Sequence, residues 1–558
     1  MSISSLSVAQ IRALSTTAIQ SLNTTSIQSL TTTQVAAFTT TGIGAFSSTQ
    51  FGEFSTTQVR ALQTTQIPSI NSSVALTSNQ LLVLTGQQLG ALASAQVQAM
   101  DTTAVAGFST SQIAGFSSTN ISALDATQAG ALTTTQISAF STTQVTGLNE
   151  TDIQELSATQ IGAFNRTQIV RIGTDAVAAM DTTQIAAIAT TVLQALNTSQ
   201  LAALQAADVA EFTTTQLASL TTTQVRGLST TFMSGLSDSQ VAALTTTQLG
   251  SLTTTSLAAL EATQTAAMTT TQVKSLSTTQ LAAPDTAQIA ALSGGQVSAM
   301  AVSQFEAFSA MQMGAFDTTS VAALTTAQAA SLTSTQVQGF TAQQIGALET
   351  ADLNALQSDA LRALSGDQIE ALSTSQVAAL STGQFAALTT DQLQSLSVDD
   401  FTALSSAQVA ALTTDQVASF TADQLGALKT AALAGLETDD IQALSTDHIN
   451  ALTGSQVAAL STAQVSAFST SQVAAISEQG VAAMRAVQLQ ALSDEQASAF
   501  TTTQLPSLSL ENVAAMHASQ IAALNTTQLG SFTAGQRAAL TGGQLAALSA
   551  DQLAALGM

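Results

Sequence analysis

The chain has no cysteine, no tryptophan and no tyrosine. Without cysteine there is neither a disulfide nor a thiolate metal site. Only three prolines occur in 558 residues. Lysine and arginine number ten against thirty-four acids, giving a net charge of −24. Nucleic acid is therefore excluded as a partner, because its recognition needs basic patches. No apolar run reaches the length of a membrane span. The opening MSISSLSVAQIRALSTT lacks a basic region followed by an apolar one, so it does not read as a cleaved secretory signal. Low complexity commonly accompanies disorder, but disorder goes with low hydrophobicity. Here 45% of residues are hydrophobic, and they recur at fixed places. The chain reads as folded.

What is present is one phrase repeated. Residues 245–276 read TTTQLGSL TTTSLAAL EATQTAAM TTTQVKSL. The register of eight runs over residues 7–70, is interrupted by NSSVAL at 71–76, and resumes over 77–556. That makes eight octads before the interruption and sixty after it. A lead-in, 1–6, and a tail, 557–558, lie outside. No second domain fits between octads. The hexad 71–76, just after Pro68, is expected to kink or bulge the stack.

The eight places differ in what they accept. Place one is usually Ser, Thr, Asp or Asn. Places two and three are small or polar. Place four is most often Gln; it admits Asp, Asn and His but never Glu, a restriction the octad alone does not explain. Place five is Val, Ile, Leu or Phe. Place six is free. Place seven is Ala, Ser or Gly with few exceptions, such as Glu53 and Arg171, and place eight is Leu, Phe, Met or Ile with Pro284 the departure.

In LSADQLAAL, Leu548 to Leu556, Ser549 is placed to cap a helix. Gln552, three residues on, completes a capping box, and Leu548 with Leu553 forms a hydrophobic staple. The apolar spacing alternates three and five. A straight helix would carry that stripe around its surface, so each cap restarts a helix in a new direction. Such short helices are unstable alone and must bury places five and eight against neighbours. The expectation is an all-α solenoid, one helix per octad. A β-solenoid is the alternative, favoured by Thr, Val and Ile and by Pro68 and Pro506 at place six. Against it, places five and eight differ by an odd number, while strand side chains alternate with period two.

A longer period is visible in places. Asp391, Asp399, Asp415, Asp423, Asp439 and Asp447 occupy place three in two octads of every three. Phe116, Phe140 and Phe164 step by twenty-four. Both point to three octads per coil. With Asp400 and Asp440 added, the aspartates are candidate ligands for Ca²⁺, which takes oxygen donors. The opposing reading is a solvated acidic edge. His448 and His517 have no Ser or Asp constellation beside them, so no catalytic residue is assigned and no cofactor is expected apart from that calcium. Rows of threonine suit an ice-binding face if the lattice is a flat β one. Arg537, at the normally apolar place five, suits an end cap.

Octads of the LTTTQVAAL kind, and LSTSQVAAL itself at Leu372 to Leu380, resemble repeat regions of large bacterial secreted or surface proteins of adhesin-like type. The resemblance implies export without a cleaved N-terminal signal and an extracellular or cell-surface location, with the cytoplasm as the alternative. The chain departs from such proteins in lacking glycine-aspartate calcium repeats. The function expected is a non-enzymatic, rigid, acidic rod: a scaffold, fibre or adhesin component whose partners are copies of itself, in an oligomer or filament, or other cell-surface components. A ligand- or ice-binding solenoid surface is the alternative.

Overall fold

A computed structural model describes residues 3–558. Among them there are sixty-six α-helices, three short 3-10 helices and no strand. The β-solenoid is thus overturned. The caps and the odd spacing between apolar places prevail over the β preference of Thr, Val and Ile.

Each octad folds as its local signals dictate. In Thr133–Phe140 the helix is Thr134–Ser138. The Thr133 hydroxyl accepts from the Gln136 backbone N–H, and the Gln136 carbonyl oxygen Oε1 accepts from the Thr133 N–H at 2.7 Å. Such a cap contributes about 1 kcal/mol, and most octads have one, the exceptions including those that begin with Ala93, Gly173, Ala189 and Lys429. Places eight and one are extended: Leu244 has φ −61°, ψ 135° and Thr245 has φ −70°, ψ 154°. Two extended residues turn the chain between helices, so no corner needs a positive φ. Among the described residues only Gly557 has one, which is why glycine has no fixed place.

The contacts divide the chain into two units, Met1–Ala283 and Pro284–Met558. Within each, a helix packs on the third helix along. In the first unit Thr134–Ser138 meets Ala158–Ile161; in the second Gly454–Ala459 meets Glu478–Ala483. A coil is therefore three octads, or twenty-four residues. Places five and eight line its interior: Ile137, Phe140, Val457 and Leu460 are all buried. Place seven rests on place two of the helix below. A Cβ at Gly115 would overlap the Gly86 backbone, and one at Gly339 the Ala310 carbonyl. Small residues at place seven keep this approach possible.

The irregularities are absorbed. The hexad 71–76 forms no helix, yet Val74 and Leu76 are buried, and the helix Thr56–Arg60 still meets Ser78–Leu82 across it. It takes one octad's position on two residues fewer. Pro68 and Pro506 lack the N–H an α-helix needs there, and their octads form the 3-10 helices Ile67–Ser69 and Leu505–Ser507. Ile3 and Leu6 of the lead-in occupy the positions of places five and eight; the first two residues lie outside the described ones.

Candidate functional site: the amide ladder and the acidic columns

The place-four glutamine has a second role that no single octad reveals. Gln136 Nε2 donates to the carbonyls of Val105 at 2.8 Å and Phe108 at 2.9 Å. These oxygens belong to places five and eight at the end of a helix in the coil below. Gln392 does the same in the second unit, to Leu361, Arg362 and Leu364 at 3.0, 3.3 and 2.8 Å. One buried amide accepts at its own helix start and donates to another helix's orphan carbonyls. This explains the exclusion of Glu. A glutamate, with the length of glutamine, would complete the capping box but would set an anionic oxygen where Nε2 meets the carbonyl oxygens; the shorter aspartate does not reach as far.

The tolerated substitutes follow the same rule. Asn120 Nδ2 donates to Leu92 O at 2.7 Å and Asn512 Nδ2 to Met484 O at 2.6 Å. The Ser320 hydroxyl donates to Leu292 O at 2.7 Å. His448 Nδ1 lies 3.2 Å from the Ser445 N–H and its Nε2 lies 2.6 Å from Phe420 O. Those partners assign the proton to Nε2. His448 is a stand-in for glutamine, and His517 sits at a helix N-cap. Across the hexad, Gln80 reaches Phe51 and Phe54, and Gln96 reaches Ile67 and Ile70. The sequence offset there is two shorter, while the places joined are unchanged.

The structure separates the candidate calcium ligands into two groups. Asp391, Asp415 and Asp439 stack as one exposed column, one residue per coil, and Asp399, Asp423 and Asp447 as a second. Asp367 extends the first column downward; the same step of twenty-four would have found it. Asp400 and Asp440 belong to neither column. They occupy place four and are buried, at 1% and 4% exposure. Among the described residues no three acidic or histidine side chains converge on one metal position.

Five buried aspartates replace the place-four amide: Asp152, Asp208, Asp352, Asp400 and Asp440. Four of them still accept where glutamine would: the Asp152, Asp208, Asp400 and Asp440 carboxylates take the N–H three residues before. None can donate when ionised. Asp152 is eased by the Ser122 hydroxyl, which donates to it at 2.8 Å. Burial pushes Asp352 above the usual carboxylate range, with the Thr326 hydroxyl opposing and Glu349 adding to the shift. Burial likewise raises Glu155, helped by Asp152 and Asp125. Asp400 Oδ1 has no hydrogen-bond partner at all, alone among the buried side-chain oxygens and nitrogens of the described residues.

Arg537, at place five, turns back onto carbonyls that close the preceding octad. Its Nε donates to Phe532 O at 3.0 Å and a terminal nitrogen to Gly530 O at 3.2 Å. Those carbonyls are at places eight and six, where a glutamine of an overlying coil would donate. The remaining surface carries shallow hydroxyl-lined grooves, such as the one bordered by Ser118, Thr142, Thr146 and Arg171.

The ALTTAQ repeat family matches residues 3–40, 345–382, 371–398, 398–430 and 422–454. These matches support a repeat family. No curated protein matches the chain. Among solved structures, the leucine-rich repeat-containing protein LegL7 from Legionella pneumophila is 13% identical, over 42% of this chain and 76% of that one, with a TM-score of 0.15. That likeness is too slight to carry an argument.

Proposed function

We propose that the protein is a non-enzymatic structural repeat protein, an acidic scaffold displayed outside the cell, that acts by extension and by contact with copies of itself or with other surface components. One observation carries the reading. Every restricted place of the octad is used up by capping, core packing or the amide ladder, from residue 7 to residue 556. Chemistry needs a convergent set of side chains in a concave site, and here the same three-sided coil recurs instead. No described helix is long and apolar enough to cross a membrane. The excess of acid, twenty-two Asp and Glu after residue 279 against twelve before it, suits a surface that keeps neighbouring chains soluble.

The ice-binding alternative rested on a flat strand lattice. The threonines sit in the first turns of short helices, in columns such as Thr222, Thr246 and Thr270, so that support is gone. The test is display. Intact producing cells are treated with protease and the chain is followed by antibody, with a cytoplasmic enzyme as control. Cleavage on intact cells is the expected result. Protection until lysis would place the scaffold inside the cell and overturn the surface reading.

A further inference from the structure

We propose that Asp400 and the carbonyl oxygens of Ile369, Glu370 and Leu372 form a site for a hard cation with oxygen ligands, set in the position that an amide nitrogen takes in the neighbouring coils. The argument begins with the ladder. Around Asp400 the place-four nitrogen is gripped by three carbonyls at once: Gln384 Nε2 lies 3.1 Å from each of Leu353 O, Asn354 O and Leu356 O. Gln408 Nε2 lies 3.2, 3.4 and 3.0 Å from Val377 O, Ala378 O and Leu380 O. The fold thus presents a preformed cradle of two or three backbone oxygens to each place-four amide, two for Gln376 one coil below Asp400. By the same register the cradle facing Asp400 is that of Ile369, Glu370 and Leu372.

Here, as at the other place-four aspartates, the cradle lacks its amide donor; what sets Asp400 apart is the oxygen left over. Aspartate is a methylene shorter than glutamine and has no N–H. The Asp400 carboxylate is spent on one side only: Oδ2 accepts from the Ser397 N–H at 2.9 Å and from the Ser397 hydroxyl at 2.7 Å. Oδ1 is buried and unpartnered. An unpaired buried carboxylate beside carbonyls short of their usual donor is costly unless a proton or a cation stands between them, and a cation can satisfy the carboxylate and several carbonyls at once. A carboxylate with backbone carbonyls is the donor set of calcium sites, and carbonyl rings also hold monovalent ions. Asp152 differs because the Ser122 hydroxyl already serves it. This site is separate from the exposed Asp391 and Asp399 columns, which carry charge but no buried orphan atom.

The test uses the full chain and two variants that keep the ladder. Asp400→Gln restores the common residue. Asp400→Asn copies Asn120, whose side chain reaches the place-eight carbonyl. Amide hydrogen exchange is followed over residues 366–404 in metal-free buffer, then with Ca²⁺, K⁺ or Na⁺ added singly. The parent should gain protection at least tenfold with one of the three, which identifies the ion. Both variants should be protected without metal and unresponsive to it. Calorimetry of the responding ion should lose its tightest binding step in Asp400→Gln. Parent protection unchanged by all three ions, or an equal response in Asp400→Gln, would overturn the site. So would binding abolished by Asp391→Asn, Asp415→Asn and Asp439→Asn together but retained in Asp400→Gln, which would leave an adventitious ion on the exposed column only.

Discussion

Replacing Gln136 by glutamate separates the two roles of the place-four side chain. The capping box accepts Glu as readily as Gln, so a helix start alone predicts no loss. The ladder predicts a large one. Gln136 is buried, and Gln136→Glu deletes its bonds to Val105 O and Phe108 O. Two such bonds contribute about 1 kcal/mol each, and a buried, uncompensated carboxylate costs about 3–5 kcal/mol. Opening of the coil around residues 101–140 should then rise about a thousandfold or more at pH 7, taking 1.4 kcal/mol per tenfold. The loss should depend on pH. Once protonated, the introduced carboxyl can donate to Phe108 O, and burial raises its folded-state pKa above the unfolded value of about 4.3. Stability recovered by protonation is therefore fully present below about pH 4 and is lost as pH rises through the raised folded value. Hydrogen exchange of peptides 101–108 and 133–140 at pH 4 and pH 7 is the assay, since solenoids open locally. Gln136→His should be mild, because His448 already does the same work. Wild-type exchange in Gln136→Glu at pH 7 would refute the ladder and return glutamine to a simple cap.

In-register deletion of 24 residues from the middle of either unit should leave the melting profile nearly unchanged, and deletion of eight should cost little more. Deletion of four should abolish cooperative melting, because it puts polar places where Leu and Val belong. Gly339→Val should cost about 1–3 kcal/mol by overpacking against Ala310, read as a lower melting temperature. Arg537→Leu should free the Gly530 and Phe532 carbonyls and speed exchange over residues 525–558 severalfold, with no change before residue 500. Because burial raises Asp352, its protonated form stabilises the fold most below the ordinary carboxylate range, and that share is lost as pH rises through the raised folded value. Asp352→Asn should therefore flatten the fall in stability between pH 4 and pH 7, measured by urea titration.

Much of the fold was legible in the sequence because each octad is a complete local instruction. Ser549, Gln552, Leu553 and Leu556 name a helix start, a core face and a stop without reference to any other repeat. The three-octad coil showed only faintly, in the Asp391 to Asp447 series and in Phe116, Phe140 and Phe164, because most octads are interchangeable and mark no side. The ladder was hidden for a different reason: its partners lie 28 and 31 residues back. Its trace was the absence of Glu at place four. Asp399 and Asp400, or Asp439 and Asp440, are neighbours in sequence with opposite surroundings, so reading them as one acidic edge joined a solvated column to a buried cradle. The place numbers alone would have parted them.

The hexad shows what sets the repeat. If the coil were defined by counting, two missing residues would throw every later octad out of phase with the coil below. Instead Gln80, Gln88 and Gln96 reach back to the place-eight carbonyls of Phe54, Leu62 and Ile70, each 26 residues away rather than 28. The amide finds its carbonyl in space. What must be preserved is the return of one extended place-eight residue beneath one cap, and a turn with Val74 and Leu76 buried achieves that without a helix. The same logic accounts for Pro284, which interrupts the apolar place eight: its ring supplies no N–H, but its carbonyl still accepts from Gln312 Nε2 at 3.0 Å. A side of the coil can therefore lose its helix, its length or its leucine, provided that a carbonyl is left where the next coil's amide arrives.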